Sequence, residues 1–273
     1  TAGLRRETTN IDVRSVSQFR TVDSGYEATN TLSSLAGTWL LSDTMQLRGA
    51  LGQSISHPLL VELSATSYFH PETGDTYQGN PDLEPAEITG LDLRWEWYPS
   101  EQEALSFGVF RKEYTNPIET VFTPLGGGGE EITKKNAGSA EVTGYETSFR
   151  VGLGFVDGDS AWLDPAYLRA NGALIDSTVS FDEQADTRVT NTDRPLQGQA
   201  NEIVNVQLGY ETEAYNVAAL YNRVGRRLSQ AGTSGEPDIY RESVTTVGLV
   251  GTWHLSENWA LKLKAENLTA PDI

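Results

Sequence analysis

The sequence predicts an all-β protein that forms an antiparallel transmembrane β-barrel, and three observations support this prediction. Many segments alternate apolar and polar residues with a period of two, which is the period of β-strands. The connections between these segments are short and long in strict alternation. Aromatic residues collect beside the short connections. A membrane barrel explains all three, here with about eleven strands, because such barrels have short turns at one rim and long loops at the other.

The alternation is clearest in five segments. In Leu91–Tyr98, two leucines and two tryptophans lie on one face, and three charged residues lie on the other. The same pattern occurs in Met45–Gly52, Ile203–Tyr210, Thr246–Trp253 and Trp259–Glu266. No run approaches the roughly 18 consecutive apolar residues of a membrane helix, so a crossing of the bilayer would have to use strands.

The connections are of two kinds. The short ones are polar and of hairpin size, and they comprise Leu41–Thr44, Pro99–Gln102, Glu211–Glu213, Leu255–Asn258 and the slightly longer Asp157–Pro165. The long ones are polar, and we expect them to lack regular structure; they comprise residues 13–25, 55–84, 113–138, 181–202 and 229–242. A compact soluble domain rarely contains several loops of this length, whereas membrane barrels commonly do.

Aromatic side chains mark the rim with the short turns. Trp and Tyr gather where a bilayer meets water, so this rim is predicted to carry a membrane-interface girdle. Its members are Trp39, Trp97, Tyr98, Tyr210, Tyr215, Trp253 and Trp259. The general preference of Trp and Tyr for strands is the alternative explanation.

The composition argues against several classes of function. With 38 acidic and 20 basic side chains, the chain has a formal net charge of −18, which argues against a nucleic-acid partner. It contains no cysteine, which excludes a disulfide scaffold, a thiolate metal site and a cysteine nucleophile. No Ser, His and Asp residues stand in a recognisable catalytic framework. The sequence therefore predicts neither an enzyme nor a cofactor.

Specific motifs follow one another along most of the chain. Gln46–Ala50 and Ser54–Pro58 precede the element Asn80-Pro81-Asp82-Leu83, which leads into the Trp-rich strand. Further motifs are Lys135–Gly138, Gly144–Glu146, Pro195–Gln199 and Leu261–Leu268. In this order they resemble the C-terminal part of the β-barrel of TonB-dependent outer-membrane receptors.

The resemblance implies a barrel of about 22 strands with a plugged lumen, in which residues 1–273 would be the C-terminal part, without the plug domain, the TonB box and the N-terminal strands. It implies a location in the outer membrane of a Gram-negative bacterium. The implied function is active uptake of a scarce nutrient, with a ferric siderophore or another iron chelate as the first expectation. The implied partners are outer-membrane lipid, the plug domain and, through it, the TonB complex, and a small chelate or glycan as ligand.

One loop contains the candidate ligand contacts. Tyr68, Phe69, His70 and Tyr77 lie within residues 55–84, which would face the extracellular medium. Aromatic rings there could stack on a bulky ligand and donate hydrogen bonds to it, although local packing would explain them too. His70 and the preceding His57 are too far apart in sequence to define a ligand geometry, so no metal site is predicted.

Two other functions fit part of the pattern. A passive porin-like or adhesive outer-membrane barrel shares the alternation of loops but leaves the Asn80-Pro81-Asp82-Leu83 element unexplained. A soluble secreted β-rich binding protein would require a second sheet that covers the apolar face of the first.

Overall fold

The computed structural model describes the chain except residues 17–20, 127–128, 157–160, 182–188, 234 and 270–273. The described residues are mostly strand, with a helix α1 (Leu60–Leu63) and two 3-10 turns (Gly154–Val156 and Ala161–Leu163). No helix in these ranges is long and apolar enough to span a membrane. The strands are β1 (Ala2–Val16), β2 (Thr21–Leu40), β3 (Met45–Ser56), β4 (Ser67–His70), β5 (Asp75–Gln78), β6 (Ala86–Trp97), β7 (Ala104–Thr115), β8 (Ile118–Pro124), β9 (Glu130–Asn136), β10 (Ser139–Gly152), β11 (Ala166–Ser180), β12 (Asp193–Arg194), β13 (Glu202–Glu211), β14 (Tyr215–Val224), β15 (Arg227–Gln230), β16 (Ile239–Arg241), β17 (Val244–Ser256) and β18 (Trp259–Ala265).

One antiparallel sheet forms the body of the molecule. Its order is β1-β2-β3-β6-β7-β10-β11-β13-β14-β17-β18, with the short β12 paired to β11. This path of eleven long strands confirms the predicted fold class. Within the described ranges, β1 and β18 each have a single neighbour, so the sheet is an open portion of a barrel wall.

The pairing register keeps one face of the sheet apolar from end to end. Residues directly opposite each other on antiparallel strands point to the same side. Leu51 pairs with Leu91, whereas Arg48 pairs with Arg94. We call the side of Leu51 and Leu91 the outer face, and the side of Arg48 and Arg94 the inner face.

The outer face is apolar and uncovered. Leu91 is 54% exposed and Leu249 is 51% exposed, and they belong to a continuous apolar surface. Its other large members are Leu35, Leu51, Leu93, Phe107, Tyr145, Leu174, Leu208, Leu261 and Leu263. No second sheet covers it in the described part of the chain, as a soluble sandwich would require. An apolar surface of this size is typical of a lipid-facing barrel wall.

The alternation of short and long connections is confirmed, with one correction. Residues 13–25 were predicted as a long loop, but β1 and β2 pair without interruption from Ala2 with Leu35 to Val16 with Thr21. The prediction was wrong because valines and serines share one face of this hairpin near its tip, so its sequence shows only a weak apolar alternation.

The remaining long connections also contain regular structure that the sequence did not predict. β4, β5, β9 and β8 form a four-stranded sheet, in which β5 and β9 are parallel, and β15 pairs with β16. Together with α1 and β12, these elements form what we call the loop layer. Several side-chain contacts connect its parts. In two of them, Gln230 Nε2 donates to Glu130 Oε2 at 3.1 Å, and the Thr233 hydroxyl donates to the Phe122 carbonyl.

Candidate ligand-binding site

The Asn80-Pro81-Asp82-Leu83 element joins two long loops. The Asn80 backbone N–H donates to the Glu62 carbonyl at 2.6 Å, and its side-chain Nδ2 donates to the Lys134 carbonyl at 2.9 Å. Its Oδ1 accepts from the Asp82 N–H at 3.0 Å, which closes a local turn. Leu83 is buried. The element therefore fixes the position of the first loop against β9.

Asn136 completes this junction from the other loop. Its Oδ1 accepts from the Glu84 N–H at 2.9 Å, and its Nδ2 donates to the carbonyls of Glu84 and Asn116 at 2.9 and 2.8 Å. An amide has both a donor and an acceptor, so one side chain can satisfy backbone groups of both types. The sequence indicated both the motif at residues 80–83 and the motif at residues 135–138. It did not predict that Asn136 contacts Glu84 across 52 residues.

The candidate ligand contacts lie on the β4–β5 hairpin. Tyr68 pairs with Tyr77, and their rings stack with centroids 4.9 Å apart and planes 5° from parallel. Tyr68 is 54% exposed, so the stack is accessible. His70 and Asp75 form the next pair on the same face, whereas Phe69, 62% exposed, lies on the opposite face. The structure thus brings together three of the four residues, and Phe69 stands apart.

A polar network lines the inner face below the loop layer. Glu96 is 7% exposed, and its carboxylate lies 3.2 Å from both Arg48 and Arg94. It also accepts from Gln46 Nε2 at 2.5 Å and from the Tyr98 hydroxyl at 3.0 Å. Two charge-assisted contacts and two hydrogen bonds compensate the carboxylate for its loss of water.

Further polar groups continue the inner face on both sides of this network. The Asn205 side chain donates to Asn171 at 2.9 Å and accepts from Asn222 at 2.6 Å, which forms a ladder across β11, β13 and β14. His57, just after β3, contacts the Tyr26 hydroxyl at 2.6 Å and Glu7 at 3.1 Å. The inner face therefore offers polar partners along its whole width.

The predicted girdle residues are divided between the two faces. Tyr210 and Tyr215 stack with centroids 5.8 Å apart, and Tyr215 lies 6.0 Å from Trp253. Register places these three on the outer face, together with Trp39, Trp97 and Trp259. Tyr98 follows Trp97 directly and donates to the inner-face Glu96.

A buried ion pair stabilises the loop layer. Arg194 of β12 and Glu119 of β8 have side chains 1% and 5% exposed, with Nη1 and Oε2 3.0 Å apart. Arg194 also stacks on the ring of Phe181 at 5.1 Å. Burial raises the pKa of the Glu119 carboxyl, while the Arg194 guanidinium acts in the opposite direction. The pair joins two loops and was not predicted from the sequence.

Within the described ranges, no group of three or more His, Cys, Asp or Glu residues is arranged to hold a metal ion.

The apolar outer face, polar inner face and alternating loops define this chain as part of the wall of a membrane β-barrel. It belongs to the family "TonB dependent receptor-like, beta-barrel", whose model matches residues 1–268. The resemblance inferred from the motifs is thereby confirmed. The chain is a component of the outer membrane of Gram-negative bacteria, and its family is one of transporters and receptors.

Comparison with known proteins gives distant relatives. The iron-regulated outer membrane virulence protein of Vibrio cholerae serotype O1 is 21% identical over 246 residues, which cover 87% of this chain and 35% of that protein. The chain thus spans about a third of the length of this curated relative.

Solved structures share the fold. The ferric enterobactin receptor of Pseudomonas aeruginosa is 18% identical with a TM-score of 0.62, and the match covers 91% of this chain and 37% of that chain. The siderophore receptor PirA of Acinetobacter baumannii is 19% identical with a TM-score of 0.60, over 91% and 38%. The copper transporter OprC is 16% identical with a TM-score of 0.71, over 98% and 39%.

The loop layer is expected to face the extracellular medium, because long loops of such barrels lie outside. Glu72, at the tip of the β4–β5 hairpin, and Asp43, in the turn between β2 and β3, are both exposed. In whole cells, the cysteine of the Glu72→Cys variant should react with a membrane-impermeant maleimide. The cysteine of the Asp43→Cys variant should react only after the outer membrane is disrupted. The reverse labelling pattern would show that the orientation is wrong.

Proposed function

We propose that the full-length protein takes up a ferric siderophore or another iron chelate across the outer membrane, with energy supplied through TonB. The main support for this function is the loop layer, in which hydrogen bonds and an ion pair hold several long loops together at one end of the wall. An ordered group of loops at the outer rim is suited to capture a ligand. The similarity to an iron-regulated outer membrane protein and to siderophore receptors supports iron as the cargo.

We infer further that residues 1–273 are the C-terminal part of the barrel and that a plug domain contacts the inner face. The exposed guanidinium of Arg48 and the amide ladder at Asn205 offer that domain charge-assisted and neutral hydrogen bonds. A plug held by polar contacts can rearrange without exposing apolar surface to water.

Growth under iron limitation tests this function. Deletion of the gene should abolish growth on at least one ferric siderophore as the sole iron source, and the full-length gene should restore it. Deletion of TonB should remove the restored growth as well. Uptake that persists without TonB would instead support the passive barrel, and undiminished growth of the gene deletion on every iron chelate supplied would argue against iron uptake.

We propose that the stacked pair Tyr68 and Tyr77 contacts the ligand. Aromatic contacts contribute about 0.5–1.5 kcal/mol beyond the area they bury, so Tyr68→Ala is expected to weaken binding of the transported chelate about threefold to tenfold. Tyr68→Phe keeps the ring and should bind within about twofold of the parent protein unless the hydroxyl donates to the ligand. Fluorescence quenching on the purified full-length receptor measures both, and equal affinity for Tyr68→Ala and the parent would exclude Tyr68 from the site.

A further inference from the structure

A polar cavity of about 350 Å³ lies within the loop layer, between β8, β9 and the β15–β16 hairpin. Three cationic side chains line it, from Lys134, Arg227 and Arg241. The chain has only 20 basic residues against 38 acidic ones, so its net charge is negative, whereas three basic residues meet around this one cavity. Glu119 is the single acidic residue among the described residues that line the cavity.

Two of the cations face each other directly. Arg227 and Arg241 are partners in the β15–β16 register, and like charges at opposed positions destabilise a strand pair. Neither forms an ion pair with any residue that the structure describes. The neighbouring acids are engaged elsewhere, since Glu242 lies 3.3 Å from Arg226, and Asp238 accepts from Asn191 at 2.8 Å.

The carboxylates near the cavity do not balance its positive charge. Glu119 is already paired with the buried Arg194, whose Nη1 lies 3.0 Å from its Oε2. Lys134 donates to the Thr120 hydroxyl at 2.8 Å and lies 3.8 Å from Glu62, which is a looser contact. The cavity therefore retains an excess of positive charge, which comes from Lys134, Arg227 and Arg241.

We infer that Lys134, Arg227 and Arg241 form a binding site for a multiply charged oxyanion group, with carboxylate or phosphate oxygens as acceptors. Guanidinium groups bind such oxygens through paired N–H donors, and an ammonium group adds a point charge. A bound anion also removes the repulsion between Arg227 and Arg241. The identification of this anion as an acidic group of the transported chelate rests on the proposed function. The existence of the anion site does not depend on that function.

Titration calorimetry with inorganic pyrophosphate tests the site on the full-length receptor in detergent. The parent protein should bind, and Arg227→Gln/Arg241→Gln should bind at least about tenfold more weakly, since it loses the charge-assisted hydrogen bonds of both guanidinium groups. Arg14→Gln is the matched control, because it removes one exposed arginine from the β1–β2 hairpin and leaves the cavity unchanged. Its affinity should stay within about twofold of the parent.

Arg227→Lys/Arg241→Lys separates loss of charge from loss of structure. It keeps both positive charges and should bind more tightly than the glutamine variant, with weaker binding than the parent because the paired donors are gone. No binding by the parent, or equal binding by parent and glutamine variant, overturns the proposal. The titration needs neither iron nor an energised membrane, so its failure is distinct from a failure of the growth experiment that tests iron uptake.

Discussion

Replacement of Arg194 by methionine is expected to destabilise the loop layer by about 3–5 kcal/mol, because it leaves the Glu119 carboxylate buried without its partner. The Arg194 and Glu119 side chains are almost fully buried, so water cannot replace the lost contact without local opening. Hydrogen exchange of the full-length receptor in micelles measures the effect. The Thr120 amide, which donates to Gln197 at 3.2 Å, is a suitable reporter beside Glu119.

The double variant Arg194→Met/Glu119→Leu is the control for this effect. It replaces both charges with apolar groups and should regain most of the lost stability, because a buried ion pair and a well-packed apolar pair have similar free energies of burial. If the single and double variants exchange equally fast, the loss comes from packing around Phe181 and not from the unpaired carboxylate.

The stability of the Arg194→Met variant should depend on pH more strongly than that of the parent. Burial already raises the pKa of the Glu119 carboxyl, and the loss of the arginine removes the interaction that opposes this rise. A carboxyl whose pKa is higher in the folded than in the unfolded state binds protons more tightly when folded, so stability falls as the pH rises through the folded pKa. After correction for intrinsic exchange, the variant should be more protected at about pH 5 than at about pH 8, and the double variant should lack this difference.

The barrel wall could be predicted from sequence because its constraint is local. A strand between lipid and a polar lumen must alternate, and Leu91–Tyr98 shows this directly. The same alternation places Tyr98 on the inner face, since it directly follows the outer-face Trp97. The β1–β2 hairpin mixes valines and serines on one face near its tip, so its alternation is weak there. Two of these serines contact the next long loop: Ser24 donates to the Leu63 carbonyl, and Ser15 accepts from the Ala65 N–H.

The loop layer could not be predicted because its contacts are distant in sequence and polar. Asn136 bonds to Glu84 across 52 residues, and Arg194 meets Glu119 across 75. Such pairs leave no periodic pattern, and an asparagine or arginine in a loop is usually solvated. Only the resemblance of residues 80–83 and 135–138 to a family indicated that these segments matter, and it did not indicate that they touch.

Leu93→Arg is expected to lower the free energy of unfolding by about 2–4 kcal/mol, because it places a guanidinium on the lipid-facing wall. Leu93 is 45% exposed on the outer face, and its partners on the two neighbouring strands are Gly49 and Val109, which offer the new charge no counter-ion. Urea unfolding of the full-length receptor in lipid vesicles, followed by tryptophan fluorescence, measures the change.

Asp92→Arg is the matched control, since Asp92 is the adjacent residue and lies on the inner face. It introduces the same side chain one position away, on the side of the lumen, where a charged group remains hydrated. Its expected cost is within about 1 kcal/mol, the range of exposed charge contacts. If Asp92→Arg lowers the free energy of unfolding in vesicles by more than Leu93→Arg does, the assignment of the two faces is wrong. If both variants are tolerated equally well, the outer face does not contact the hydrocarbon core of the bilayer.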